Sequence, residues 1–224
     1  MNIANIFFKE LQEKELYSSE DFGGKFPLNV GSYVSKAAIA SPQPILKSKL
    51  PFSSELRNNL VEFYSQVGEL STGWHLKEAD IPRIRENDWL KKNFPGEEYS
   101  DSFLSETVSG VININSPAAL QKDKIEINGN WYFPFDCHWN VMVCFKQENG
   151  VIEDNLYLFV VQDSRNITDM KIGCMEYLQL AYEAKLFYYW QYAYVFKDSL
   201  HNERLHKLLP EIFELVELDL SKFK

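Results

Sequence analysis

The stretch Tyr132 to Trp139, YFPFDCHW, sets a carboxylate, a thiol and an imidazole side by side at Asp136, Cys137 and His138. A thiol beside an imidazole can serve as a nucleophile with its base, and an aspartate near a histidine is the usual pairing of an acid–base site. Neighbours on a strand point to opposite faces, so Cys137 and His138 are not expected to meet. Asp136 lies between apolar residues. It reads either as a buried carboxyl with a raised pKa or as a turn aspartate bonded to backbone amides.

Other chemistry finds less to work with. The chain has four histidines, His75, His138, His201 and His206, and no G-x-S-x-G nucleophile motif. His201 and His206 are five apart, so a helix does not align them, and they read as solvated helix residues. Asp136, Cys137 and His138 offer metal-ligand types without a second cluster at usable spacing, so no metal or other cofactor is expected. Neither G-x-x-x-x-G-K-[ST] nor G-x-G-x-x-G is present, which leaves phosphates without a loop. The chain is therefore read as non-catalytic.

Charge and composition narrow the partners. The formal charge is −9, from 32 acidic and 23 basic residues, a field that repels phosphate backbones and suits a basic protein. With 45% hydrophobic and 15% aromatic residues among 224, a packed core is expected. No run reaches the 18 to 20 apolar residues, roughly, of a membrane span. The start, MNIANIFFKELQEKE, lacks the basic region of a secretory signal. Three cysteines, Cys137, Cys144 and Cys174, read as buried thiols in a reducing compartment, so a cytoplasmic protein is expected.

The elements that must position these groups centre on Gly173 to Phe196, GCMEYLQLAYEAKLFYYWQYAYVF, read as one helix. Met175, Leu178, Tyr182, Leu186, Tyr189 and Ala193 recur at helical steps, and apolar residues continue around the flank. Glu176, Gln179, Glu183, Lys185 and Gln191 mark its wet edge, and Gly173 with Glu176 is its N-terminal signal. Such a helix must be covered on more than one side.

Ahead of it, residues 1–49 read as a short helix, Asn2 to Leu16, and an irregular arm broken by glycine and proline. Residues 50–224 read as the folded domain with a helical extension. A capped helix is expected after Ser53, then a short turn over Glu69 to Leu76 that ends in an extended apolar piece, and a second helix, PRIRENDWLKKNF, burying Ile84, Trp89 and Leu90. The period then changes to two. Strands are expected at Val108 to Ile114, Lys124 to Ile127, Trp131 to Phe133, Val141 to Lys146, Leu156 to Gln162 and Ile167 to Ile172. Asn128-Gly129 and Asn149-Gly150 are hairpin turns, and Asp163 to Asn166 is a further turn. Short connections imply an antiparallel sheet, and the flanking helices make the chain α+β. A last helix spans Glu203 to Val216 and is kinked or split at Pro210.

Four stretches carry a family resemblance. Leu50-Pro51 before ELRNNLVEFYSQVGEL, Trp74-His75-Leu76, NWYFPF from Asn130, and LYLFVVQDS followed by EYLQLAYEAK resemble the SUKH superfamily, which includes the fungal Smi/Knr cell-wall regulators. The likeness covers roughly residues 50–194, and Gly173-Cys174-Met175 departs from the serine-phenylalanine that opens the relatives' helix. It implies a sheet flanked by helices, used to bind protein, and many bacterial members resemble immunity proteins that neutralise a toxin. It brings no catalytic residues.

The expected function is thus occlusion of a protein partner, a basic toxin domain, by an acidic face with aromatic anchors. Trp74 and Trp139 are the expected anchors, with Glu97, Glu98 and Asp101 as rim carboxylates. Two alternatives stand beside it. One is an enzyme whose pocket is lined by Tyr188 to Tyr194, with Asp136 and His138 as acid and base. The other is a scaffold subunit.

Overall fold

The computed structural model describes residues 49–65, 70–75, 81–94, 104, 108–138, 140–160, 163–213 and 218–223. The N-terminal helix and arm expected before Lys49 lie outside the described residues. The elements are α1 (Ser54–Tyr64), β1 (Leu70–His75), α2 (Ile81–Arg85), α3 (Asp88–Asn93), β2 (Ser109–Ile114), α4 (Pro117–Lys122), β3 (Ile125–Ile127), β4 (Asn130–His138), β5 (Val141–Glu148), β6 (Val151–Val160), β7 (Asp163–Asp169), α5 (Cys174–Glu183), α6 (Trp190–Val195), α7 (Leu200–Ile212) and a 3-10 turn (Ser221–Phe223). Among them the strands form one sheet in the order β1-β2-β4-β5-β6-β7, with β3 paired to β4. The β4-β5, β5-β6 and β6-β7 pairings are antiparallel, and helices flank the sheet. The fold is α+β, as the pattern predicts.

Two compact units divide the described residues, one holding residues 49–72 and Ile112–Leu180 and the other Gly73–Val111 and Ala181–Lys224. In the first, Ser53 caps α1 by accepting from the Leu56 amide at 3.2 Å. The spacing of Leu56, Leu60 and Phe63 puts all three on one face, and all are buried. Phe63 meets Phe135 of β4 edge-on at 6.2 Å, and Phe135 meets Phe145 of β5 at 5.1 Å. The opposite face of the sheet buries Tyr132, Cys144 and Phe159. Both faces are thus covered, so β4 is buried continuously from Tyr132 to Asp136.

The hairpin turns form as expected. Asn128 and Gly129 both have positive φ, 52° and 76°, and so do Asn149 and Gly150, 49° and 83°. That is the backbone twist that matches antiparallel strands. The expected turn over Asp163 to Asn166 is instead drawn into β7, where Val160 pairs with Asp163 past a register shift. Tertiary pairing overrides a locally turn-forming sequence there.

In the second unit the expected single helix before Pro95 is two. The backbone of Asn87 is extended, and its Oδ1 accepts from the Leu90 amide at 3.1 Å to start α3 afresh. Ile84, Trp89 and Leu90 are buried, as their spacing predicts. The last helix begins earlier than expected, at Leu200, because Ser199 accepts from the Asn202 amide at 3.2 Å. Pro210 stands in its final turns and does not split it.

The largest correction concerns Gly173 to Phe196. The helix ends at Glu183, and a second begins at Trp190. Lys185 takes a left-handed φ of 50° while the Lys185 amide donates to Tyr182 O and the Leu186 amide to Ala181 O, the two bonds of a helix-ending Schellman turn. Residues 186–188 then bond to a strand edge: Val111 N donates to Leu186 O at 2.8 Å, and Tyr188 N donates to Ser109 O at 2.7 Å. Gln191, expected at the wet edge, is fully buried in α6.

Candidate functional site

Asp136 owes its orientation to a bulge. Phe133 pairs with Phe145 and Pro134 with Cys144, but Val143 faces Asp136, so Phe135 is the extra residue. Strict alternation would group Asp136 with Pro134. The inserted residue moves it, and His138 with it, to the face of Phe133. Pro134 lacks a backbone donor, and a bulge is where a strand tolerates that. Side chains of β2 and of the residue after it supply bonds across the irregular ladder: Asn113 Nδ2 donates to Cys137 O at 2.7 Å and Asn115 Nδ2 to Pro134 O at 3.0 Å.

Three groups converge on the Asp136 carboxylate. The Asn113 amide donates to Oδ1 at 2.9 Å, His138 Nδ1 lies 3.3 Å from Oδ1, and the Tyr177 hydroxyl donates to Oδ2. Asp136 is fully buried and His138 nearly so. Burial pushes the carboxyl up, but the imidazole of His138, the Tyr177 hydroxyl and the Asn113 amide outweigh it and hold it below its ordinary range. The sequence reading allowed a buried carboxyl with a raised pKa; the burial is right and the direction is reversed. Cys137, on the other face, lies 3.6 Å from Asn115 Nδ2, and burial and then the Asp136 charge push its thiol up to about 12. A thiol held so firmly protonated is a poor nucleophile.

The second unit assembles a different cluster from the broken aromatic stretch. Tyr189, in a left-handed φ of 62°, meets the Tyr188 ring at 3.9 Å, tilted by 45°, and the Tyr192 ring at 5.4 Å. His201 of α7 lies 5.0 Å from Tyr189 and 5.1 Å from Tyr192. It is half-buried against rings and not solvated as expected; burial, then the charge of Arg204, lower its pKa to about 4. Beneath, Arg204 stacks its guanidinium on Phe187 at 5.2 Å and on Tyr189 at 5.8 Å. Phe196, 42% exposed, meets Tyr192 at 5.9 Å, and Leu200, 45% exposed, precedes His201 on α7.

No family model, curated protein or solved structure matches the chain. The arrangement must therefore be read on its own chemistry. Glu97, Glu98, Asp101 and Trp139, expected at a partner surface, lie outside the described residues. Trp74 is on β1, and its side chain lies outside the described residues too. Among the described residues no His, Cys, Asp and Glu cluster is placed to hold a metal ion, and no helix is long and apolar enough to cross a membrane.

Sequence reasoning missed Arg204 and the role of His201. A signal existed: Leu200, His201 and Arg204 lie three and four apart on one helical face that carries both apolar and cationic groups. Their partners, Phe187 to Tyr192, were hidden inside a stretch read as helix throughout.

Proposed function

We propose that this protein is a protein-binding module of the SUKH-like kind that acts in the cytoplasm, neutralising a basic toxin domain by covering it. The observation that supports the reading is the apolar border of the tyrosine cluster. Phe196 and Leu200 are the described large apolar side chains left most exposed, at 42% and 45%, and Tyr192 meets Phe196 at 5.9 Å. Rigid aromatic groups bordered by exposed apolar ones are what interface anchors are made of. The net charge of −9 would speed encounter with a cationic partner, an effect that salt weakens. The test is capture of basic nuclease-type toxins, including the product of the adjacent reading frame, by the full chain. Phe196→Ala with Leu200→Ala should weaken capture at least about tenfold. A chain that captures none of these effectors removes the reading.

A second reading has its own observation. The 3.3 Å contact of Asp136 with His138 is the geometry of a base and the carboxylate that orients it. Both groups are buried, so a substrate would need the unit to open. Modification of His138 by diethyl pyrocarbonate in the native protein would favour catalysis; complete protection would count against it.

A further inference from the structure

Arg204 carries a charge that no described carboxylate balances. It is only 6% exposed, yet among the described residues no carboxylate pairs with it. Glu203, the adjacent acid, instead accepts from Trp89 Nε1 at 3.3 Å. The guanidinium donates from Nη2 to Tyr188 O and lies over the Phe187 and Tyr189 rings. Its Nε is buried with no hydrogen-bond partner. The chain has 32 acidic residues, and none of the described ones pairs with this desolvated cation.

The rings and one carbonyl compensate part of the cost of burying a cation, but they leave Nε, one prong of the planar donor fork, without an acceptor. A planar oxyanion is the group that fits such a fork. The frame around it reaches solvent, because Tyr189, Tyr192 and His201 are each partly exposed. Tyr189 is held at a φ of 62°, a conformation that costs a bulky residue, so its ring is positioned against a backbone preference. His201 is kept neutral by burial near pH 7, so the site offers a single positive charge. One cation among aromatic rings suits a monoanion with an apolar body better than a phosphate dianion.

We propose that Arg204, framed by Tyr189, Tyr192 and His201, is a binding site for a carboxylate attached to an apolar or aromatic group. The carboxylate is either that of a free small acid or the chain end of a peptide. The inference does not depend on the protein-binding reading, since a free acid satisfies it without a partner.

The experiment is a nuclear magnetic resonance titration of the isotope-labelled full chain. Sodium benzoate, benzamide and sodium phosphate are the small probes, followed by a peptide ending in phenylalanine and its C-terminal amide. Benzoate should shift the Arg204 Nε–H and His201 ring signals, while benzamide and phosphate at equal concentration leave them in place. Benzoate should also raise the pKa of His201 from about 4, because a bound carboxylate offsets the Arg204 charge. Arg204→Lys keeps the charge and loses the fork, and should weaken benzoate about tenfold. If that variant does not fold, the contrast of benzoate with benzamide on the unaltered chain decides alone. Shifts from the free-acid peptide and not from its amide, stronger than those of benzoate, assign the site to a chain end; stronger binding of benzoate assigns it to a free acid. Absence of shifts with benzoate, equal shifts with benzamide, or equal shifts with phosphate each overturn the proposal.

Discussion

Tyr177 donates its hydroxyl to Oδ2 of Asp136, tying α5 to β4 across 41 positions of sequence. The same tyrosine packs its ring against Phe135 at 6.0 Å, so one side chain seals the apolar core and satisfies the buried charge within it. The bulge at Phe135 is what brings both partners within its reach.

Replacing Tyr177 by phenylalanine keeps the ring and removes the bond. Losing one hydrogen bond to a buried charge costs on the order of 2 kcal/mol. Urea unfolding should show the loss as a lower midpoint at unchanged slope. An unchanged midpoint would mean that Asp136 is satisfied without Tyr177.

Asp136 should shape the acid limb of the stability curve. Its folded pKa lies below its ordinary value of 3.8, so the unfolded chain takes up this proton first as pH falls. Its contribution is complete above that ordinary value and is lost as pH drops through the folded pKa. Asp136→Asn should be less stable at neutral pH and should lack this part of the steepening below pH 3.8, read by unfolding from pH 7 to 2.

His201 should act at higher pH. Its folded pKa is about 4 against an ordinary 6.5, so between those values the unfolded chain holds a proton that the folded chain does not. Stability should fall as pH is lowered from about 6.5 to about 4 and this contribution should level off below. His201→Gln should flatten that segment. Solvent reaches part of the ring and reduces the effect.

Asp154 serves as the cap that α5 does not carry in its own sequence. Its Oδ1 accepts from the Cys174 amide at 2.8 Å, and its Oδ2 accepts from Asn59 Nδ2 at 2.6 Å. Asp154→Ala should cost about 1 kcal/mol through the loss of the cap. Gly173→Ala should be at least as damaging, because a Cβ there would sit 2.7 Å from Asp154 Oδ2. Thermal unfolding of both variants tests this; a Gly173→Ala protein as stable as the parent would refute the close approach.

The thiols should be inert in the folded protein. Burial raises the pKa of Cys137, Cys144 and Cys174, and the last two are almost wholly enclosed. Iodoacetamide at pH 8 should label none of them at an appreciable rate until denaturant is added. Rapid native labelling of Cys137 would reopen a nucleophilic role for it.

Much of the architecture was legible because its signals are local. The Ser53 cap, the Leu56, Leu60 and Phe63 face, and the Asn128-Gly129 and Asn149-Gly150 turns each depend on residues within a few positions of one another. The short connections between the later strands then imply an antiparallel sheet, and the helices imply the α+β class. The amino-acid order determined these by itself.

Only the tertiary structure decided where Asp136 faces, since that depends on a register shift against β5, and periodicity carries no record of a partner strand's register. The same holds for the break between α5 and α6. The apolar pattern of residues 184–189 is as helical as that of its neighbours, but their backbone bonds to Ser109 and Val111 outcompete another helical turn. Arg204 meets its rings only because that break folds Phe187 and Tyr189 onto α7. Contacts distant in sequence set these positions.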